Sequence, residues 1–219
     1  MDNITKTVWG FLDSDPILRS SLSRNVINKR ALAFYIIKTL SLSAPVNAVI
    51  SAIRRYQTEN PLNEVFTKAL EVISDSTMSS KNGIVSLTLE KDQETEKLIP
   101  KLFTVVEVGK NNVLRIIQAD ESIKILIDQK NLKKAKEIVP EQKIVKIEED
   151  LAEVTIHLDE RAWYTPGVVT VLSSQLSGNH INIIEIMSCI PEIIIFFKEK
   201  DLMSAYNVLY NLANKNTTV

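Results

Sequence analysis

Residues 4–57 place apolar side chains at helical spacing. Val8, Phe11 and Leu12 form one stripe with Trp9 on its flank, and Pro16 opens another short turn. Asn28 suits the N-cap of a segment carrying Ala31, Leu32, Phe34, Tyr35, Ile36, Ile37 and Leu40, a set wide enough to predict a largely buried helix. Ser41-Leu-Ser-Ala-Pro45 breaks it. Pro45 suits the first turn of the next helix, which runs to about Tyr56 with Val46, Val49, Ile50 and Ile53 inward. Pro61 starts a further helical pattern through Leu62, Val65, Phe66, Ala69, Leu70 and Ile73. Ser74 to Gly83 is rich in Ser, Thr, Asn and Gly, which places a domain boundary there.

Beyond Gly83 the spacing switches to two, with Val85, Leu87 and Leu89 on one face. A helical segment follows, then strands Val113–Ala119 and Ser122–Asp128, a helix through Leu132, Ala135 and Ile138, and a strand at Ile144–Ile147. The same order starts again with strand Val154–Leu158, helix Pro166–Leu176 stopped by Gly178, strands Ile181–Met187 and Glu192–Phe197, and helix Leu202–Leu212. The chain then runs to Asn214-Lys-Asn-Thr-Thr-Val219 with no fourth strand, and a missing edge strand must be replaced or left exposed to pair with another chain. Residues 98–139 overlie residues 168–209 at a constant offset of 70 without gaps: Asn112-Val-Leu-Arg-Ile116 on Asn182-Ile-Ile-Glu-Ile186, and Lys130-Asn-Leu-Lys-Lys-Ala135 on Lys200-Asp-Leu-Met-Ser-Ala205. Such a period means one supersecondary unit used twice. The expected fold is α+β: a helical, helix-turn-helix-like domain at 1–75, then two ferredoxin-like βαββαβ units at 83–149 and 150–219, the second lacking its last strand.

Composition removes several function classes. The single Cys189 excludes an internal disulfide and reads as a small apolar filler, and no Cys/His cluster has zinc spacing, so no metal is expected. Five unclustered glycines cannot build a phosphate loop, so no nucleotide cofactor is expected. His157 and His180 read as surface residues without a nucleophile nearby, and Glu148, Glu149 and Asp150 as a solvated turn. With no catalytic constellation, the expectation is a protein that is not an enzyme. The N-terminus lacks a signal-peptide pattern, and the apolar stretch Ile190 to Phe197 is far shorter than the ~20 residues of a membrane span. A cytoplasmic protein without membrane contact is expected.

The net charge of −1 hides an asymmetry: residues 1–60 hold eight Lys/Arg against four Asp/Glu, a balance of +4. Segment 28–56 has helix-turn-helix proportions, with Ser41–Ala44 as the turn. Lys29, Arg30, Arg54 and Arg55 suit phosphate contacts, whereas the start of the second helix offers only Asn47 and Ser43 for base edges. DNA is therefore a candidate partner; an ordinary helical bundle with solvated arginines is the competing reading.

Three stretches carry a family resemblance: Thr165-Pro-Gly-Val-Val-Thr-Val-Leu-Ser-Ser-Gln-Leu-Ser-Gly178, Ile181-Asn-Ile-Ile-Glu-Ile186 and Glu192-Ile-Ile-Ile-Phe-Phe197. They resemble an ACT domain, and more narrowly the tandem ACT regulatory region of aspartate kinases. The likeness covers roughly residues 83–212. Val26-Ile-Asn-Lys-Arg-Ala-Leu-Ala33 and Ala52-Ile-Arg-Arg-Tyr56 resemble the helical front end of archaeal ACT-containing proteins. The resemblance implies regulation by a small ligand, commonly an amino acid, bound where two ACT units meet, and pairing into a homodimer or larger assembly. A helix N-terminus suits a carboxylate, Gly167 allows close approach, and Asn182 offers a donor and an acceptor. The expected ligand contacts are Thr165, Gly167, Val168 and Asn182. The loop Asp159-Glu-Arg-Ala-Trp-Tyr-Thr165 departs from the family's glycine-rich loop; its Trp163 and Tyr164 either line a pocket or fill it. The first unit has Glu96-Lys97 in place of Pro166-Gly167, so its own site is expected to be dead. The stretch before Gly83 is too short for a kinase domain. The expected function is thus a ligand-responsive regulator, in one reading of transcription and in the other a regulatory or assembly subunit that binds protein and no DNA.

Overall fold

The computed structural model describes residues 4–56, 61–106 and 112–214. The chain forms two compact units, Met1–Lys68 and Ala69–Val219.

The first unit is helical, with α1 (Ile4–Ser14), α2 (Pro16–Ser23), α3 (Lys29–Thr39) and α4 (Val46–Arg55). Their stripes meet in a core of Val8, Leu12, Leu22, Leu32, Ala33, Ile36, Val49, Ala52 and Ile53. Asp15 caps α2 by accepting the Ile17 and Leu18 N–H groups at 2.9 and 3.0 Å, and Asn28 caps α3 by accepting those of Arg30 and Ala31 at 2.9 and 3.1 Å. Caps of this kind contribute about 1 kcal/mol each. The Trp9 indole donates to the Ala52 carbonyl at 3.0 Å and the Tyr56 hydroxyl donates to Asp13, which fastens α4 to α1. One expectation fails here. Phe34 and Tyr35 are 50% and 53% exposed, and α3 buries only Leu32, Ala33 and Ile36. α3 packs mainly against α4, so one narrow face suffices. Helix α5 (Pro61–Ser74) runs across the division between the units, with Ala69, Val72 and Ile73 buried.

The second unit runs β1 (Thr77–Glu90), α6 (Gln93–Val106), β2 (Leu114–Gln118), β3 (Ser122–Asp128), α7 (Leu132–Ile138), β4 (Ile144–His157), α8 (Val168–Gly178), β5 (Glu185–Cys189), β6 (Glu192–Lys198) and α9 (Leu202–Ala213). Its six strands form one antiparallel sheet in the order β2-β3-β1-β4-β6-β5.

Two strands depart from expectation. The Ser-rich stretch read as a boundary loop is strand from Thr77 onward, and the strands read at Ile144–Ile147 and Val154–Leu158 belong to one fourteen-residue strand, β4. Glu148, Glu149 and Asp150 therefore lie within a strand and form no turn. The strand missing from the second βαββαβ series is replaced from within the chain. Thr77–Lys81 of β1 pairs with Glu153–His157 of β4, on the side of β4 away from β6. The other end of β1 pairs with both β3 and the start of β4. The later half of the sheet thus borrows one end of β1, while the start of β4 closes the earlier half, and the unpaired edge that argued for a dimer is filled. Residues 215–219, read as having no strand, lie outside the described residues.

The two long strands are near copies of one another. Gly83 (φ 65°) and Asp150 (φ 57°) hold the same left-handed position, where the pairing register shifts. Polar contacts repeat around that point with partners exchanged. Lys81 pairs with Asp128 at 2.7 Å and, in the other half, Lys198 with Glu148 at 3.3 Å. Asn82 donates to Glu199 at 3.0 Å, and Gln129 to Glu149 at 3.1 Å.

One face of the sheet packs on helices: Val85, Leu87, Leu89, Ile123, Ile125 and Ile127 meet Leu102 and Val106 of α6 and Ala135 of α7. The other face closes on itself. Lys124 of β3 is ion-paired with Glu185 of β5, four strand steps away, which on a flat sheet would be ~19 Å. The coiled sheet encloses Ile84, Val113, Leu126, Leu151, Ile194 and Phe196.

Candidate functional sites

Three of the four expected ligand contacts, Thr165, Gly167 and Val168, fall at the N-terminus of α8. Gly167 is its N-cap at φ 90°, and no side chain caps it. A left-handed φ at this position suits glycine. Uncapped first-turn N–H groups and the positive end of the helix dipole favour an anion. Val168 is buried (4% exposed) and fixes the first turn, while the Thr165 hydroxyl donates to the Arg161 carbonyl at 2.8 Å and holds the preceding loop. That loop is also pinned by Arg161, which pairs with Asp159 at 2.7 Å and with Asp75 at 2.6 Å. The backbone N–H and guanidinium of Arg161 hold the Asp159 carboxyl below its ordinary value. Trp163 and Tyr164 are 63% and 92% exposed, so they fill no pocket among the described residues.

Asn182 stands elsewhere. It is exposed, in the connection three residues before β5, because the strand starts at Glu185 and not at Ile181. The Ile181 N–H donates to the Leu176 carbonyl at 3.0 Å, anchoring this connection at the C-terminal turn of α8. Leu176 lies nine residue steps along α8 from Gly167, a rise of ~13 Å. Thr165, Gly167 and Val168 therefore lie at one end of α8 and Asn182 at the other.

The helical unit holds a second candidate. An open groove of about 540 Å³ is lined by Asn28, Lys29 and Arg30 from the start of α3 and by Asn47, Ile50, Ser51 and Arg54 of α4. Three of the four basic residues singled out in the sequence meet there. Arg55 does not: its guanidinium donates to the Thr5 hydroxyl at 3.0 Å and to the Ser51 carbonyl at 3.3 Å.

A buried polar cluster escaped the sequence reading. Glu153 of β4 is 5% exposed, and one oxygen lies 3.5 Å from the Arg115 guanidinium of β2. Its other oxygen, and Arg115 Nε, meet no hydrogen-bond partner among the described residues. Burial pushes the Glu153 carboxyl above its ordinary value; Arg115 and Lys81 oppose this, and Asp128 and Glu192 add to it. Asp128 beside it is satisfied, accepting the Val113 N–H at 2.6 Å and pairing with Lys81. The only sequence signal was a glutamate amid Leu151, Ala152, Val154 and Ile156, which looks like ordinary outward alternation until both faces of the strand are known to be covered.

His157 is exposed, 3.7 Å from Glu192, and Cys189 is exposed at the end of β5, where a filler was expected. Among the described residues no acidic, His or Cys cluster could hold a metal ion, and no helix is long and apolar enough to cross a membrane.

No protein-family model and no curated protein matches the chain. Solved structures do. A chain of the aspartokinase alpha and beta subunits matches with a TM-score of 0.51 at 17% identity, over 63% of this chain and 97% of that one. The ligand-free regulatory subunit of aspartate kinase from Thermus thermophilus gives 0.50 at 13% identity, over 62% and 95%. The aspartate kinase of Clostridium acetobutylicum, described as allosteric, gives 0.49 at 18% identity, over 63% of this chain and 34% of that chain, so the present chain spans about a third of its length. The helical unit, Met1–Lys68, is too short to account for a match of 63%. The chain therefore carries the α+β fold of aspartate-kinase regulatory subunits behind N-terminal helices.

Proposed function

We propose that this protein is a cytoplasmic, non-enzymatic regulator that senses a small carboxylate ligand, an amino acid or related metabolite, through its ACT-like unit. The observation that carries the reading is the left-handed, uncapped Gly167 at the start of α8, on a fold shared with regulatory subunits. The ends of α8 hold complementary halves of a site, the N–H groups at Gly167 and Val168 and the carboxamide of Asn182. A small ligand touches both only if two copies place α8 N-terminus against Asn182, so the working form is a homodimer or a larger assembly.

The helical unit is the output arm. In the leading reading it acts on DNA, making the protein a transcriptional regulator. The second reading, a subunit that docks on another protein, is favoured by the half-exposed Phe34 and Tyr35.

The test is a thermal-shift screen of the free amino acids, with light scattering on any that shift the melt. A ligand that binds only the folded state adds about 2.7 kcal/mol at ~100-fold excess over its dissociation constant. One compound raises the melting temperature and the dimer fraction together, and Asn182→Ala abolishes both effects. A shift in a protein that stays monomeric, or an Asn182→Ala variant that responds normally, refutes the shared site.

A further inference from the structure

The groove between the start of α3 and the face of α4 has the chemistry of a phosphate-binding surface. Lys29, Arg30 and Arg54 line it, and none has an ion pair among the described residues. No acidic side chain lines it; the remaining polar groups are those of Asn28, Asn47 and Ser51. The Arg30 guanidinium lies 5.9 Å from the Phe34 ring centroid, which steadies it without neutralising it. Like charges gathered in a concavity focus a positive potential outward.

We propose that this groove takes the phosphodiester backbone of duplex DNA while α4 lies in the adjacent major groove. Asn47, Ile50, Ser51 and Arg54 recur at helical spacing and form one stripe along α4. A helix with its side chains is ~10–12 Å across, which a major groove ~12 Å wide admits. Asn is a side chain that pairs bidentately with adenine edges, and Asn47 stands at one end of the stripe, with Arg54 left to a phosphate at the other. The Lys29 and Arg30 side chains at the start of α3 then meet a phosphate. Single-stranded nucleic acid is the poorer fit, because its recognition relies on aromatic stacking platforms and no aromatic side chain lines the groove. The proposal rests on the reading of the helical unit as the output arm, but the binding it describes needs no ligand at α8.

The experiment is fluorescence anisotropy of the full chain with a short random-sequence duplex across a salt series, in ligand-free protein and again with pooled amino acids. Affinity falls linearly on logarithmic axes, with a slope of about −0.9 for each phosphate neutralised. The triple variant Lys29→Gln, Arg30→Gln, Arg54→Gln flattens that slope by about 2–3 and weakens binding, with an unchanged circular-dichroism melt. Arg55→Gln, outside the groove, leaves both unchanged. No binding at low salt in either condition, a triple variant with the wild-type slope, or an Arg55→Gln defect as large as the triple overturns the proposal. Tighter binding to single-stranded RNA or to polyglutamate than to duplex overturns the choice of occupant. A negative result here leaves the amino-acid thermal shift standing, and the absence of that shift leaves this result standing.

Discussion

Removing Arg115 should be the most damaging change of charge in the sheet. The side chain of Glu153 is 6% exposed and that of Arg115 31% exposed, so the acid has far less access to water than its partner. Breaking a buried pair by deleting one member costs about 3–5 kcal/mol, chiefly because the survivor keeps its charge without compensation. Lys81 still pulls on Glu153, so Arg115→Met should fall near ~3 kcal/mol at neutral pH, a drop of roughly 6–12 °C for a unit of this size. Glu153→Gln leaves an arginine that reaches water, and should stay within ~1 kcal/mol of the parent. The pH dependence separates the two. Glu153 has a folded pKa above its ordinary 4.5, so from there upward the folded state binds more protons than the unfolded state and stability falls with rising pH until the folded value is passed. Glu153→Gln removes that fall and Arg115→Met steepens it. Thermal melts followed by circular dichroism between acid and neutral pH measure both. An Arg115→Met cost under ~1 kcal/mol, or an unchanged pH slope in Glu153→Gln, refutes the reasoning.

Two further outcomes are expected. Gly83→Ala should cost about 1 kcal/mol in denaturant melts, since a methyl there meets no atom within 4 Å and only the left-handed backbone objects, whereas Asp150→Gly at the matching position should change stability by less. Burial, then the hydrogen bond to the Asp13 carboxylate, pushes the Tyr56 hydroxyl up to about 12; in an ultraviolet pH titration one tyrosine should ionise late, and Tyr56→Phe should remove it and cost about 1 kcal/mol.

What the sequence showed depended on where burial leaves a periodic trace. The helices of the first unit and the 70-residue repeat were legible because apolar side chains at fixed spacing mark one buried face. Thr77–Lys81 was not, because its place in the sheet is set by backbone pairing with β4 and its side chains are Thr, Met, Ser, Ser and Lys. The unity of β4 was hidden by Glu148-Glu149-Asp150, of which Glu148 is matched by Lys146 and Lys198 and Glu149 by Gln129, from other parts of the chain or strand. Phe34 and Tyr35 were assigned inward because a wide stripe looks buried, although nothing in the pattern says how many neighbours a helix has. The expected ligand residues were each identifiable by type, but a start for β5 placed four residues early brought Asn182 to the strand and concealed that α8 separates it from Gly167.

The reach of β1 into the later half makes the sheet a clasp. The second βαββαβ series does not close its sheet without Thr77–Lys81, a segment that precedes the first. A cut at the apparent boundary near Asp150 would leave the later fragment without Thr77–Lys81, so the later copy of the repeat is not a unit that can be expressed alone. The clasp also reorders neighbourhood. Only Asp75 and Ser76 separate α5 from β1, and that end of β1 belongs to the half containing α8, with Asp75 held by Arg161 from the loop ahead of α8. The connection from the helices thus enters the later half of the sheet first, and the earlier half, although next in sequence, is one strand-length further from it.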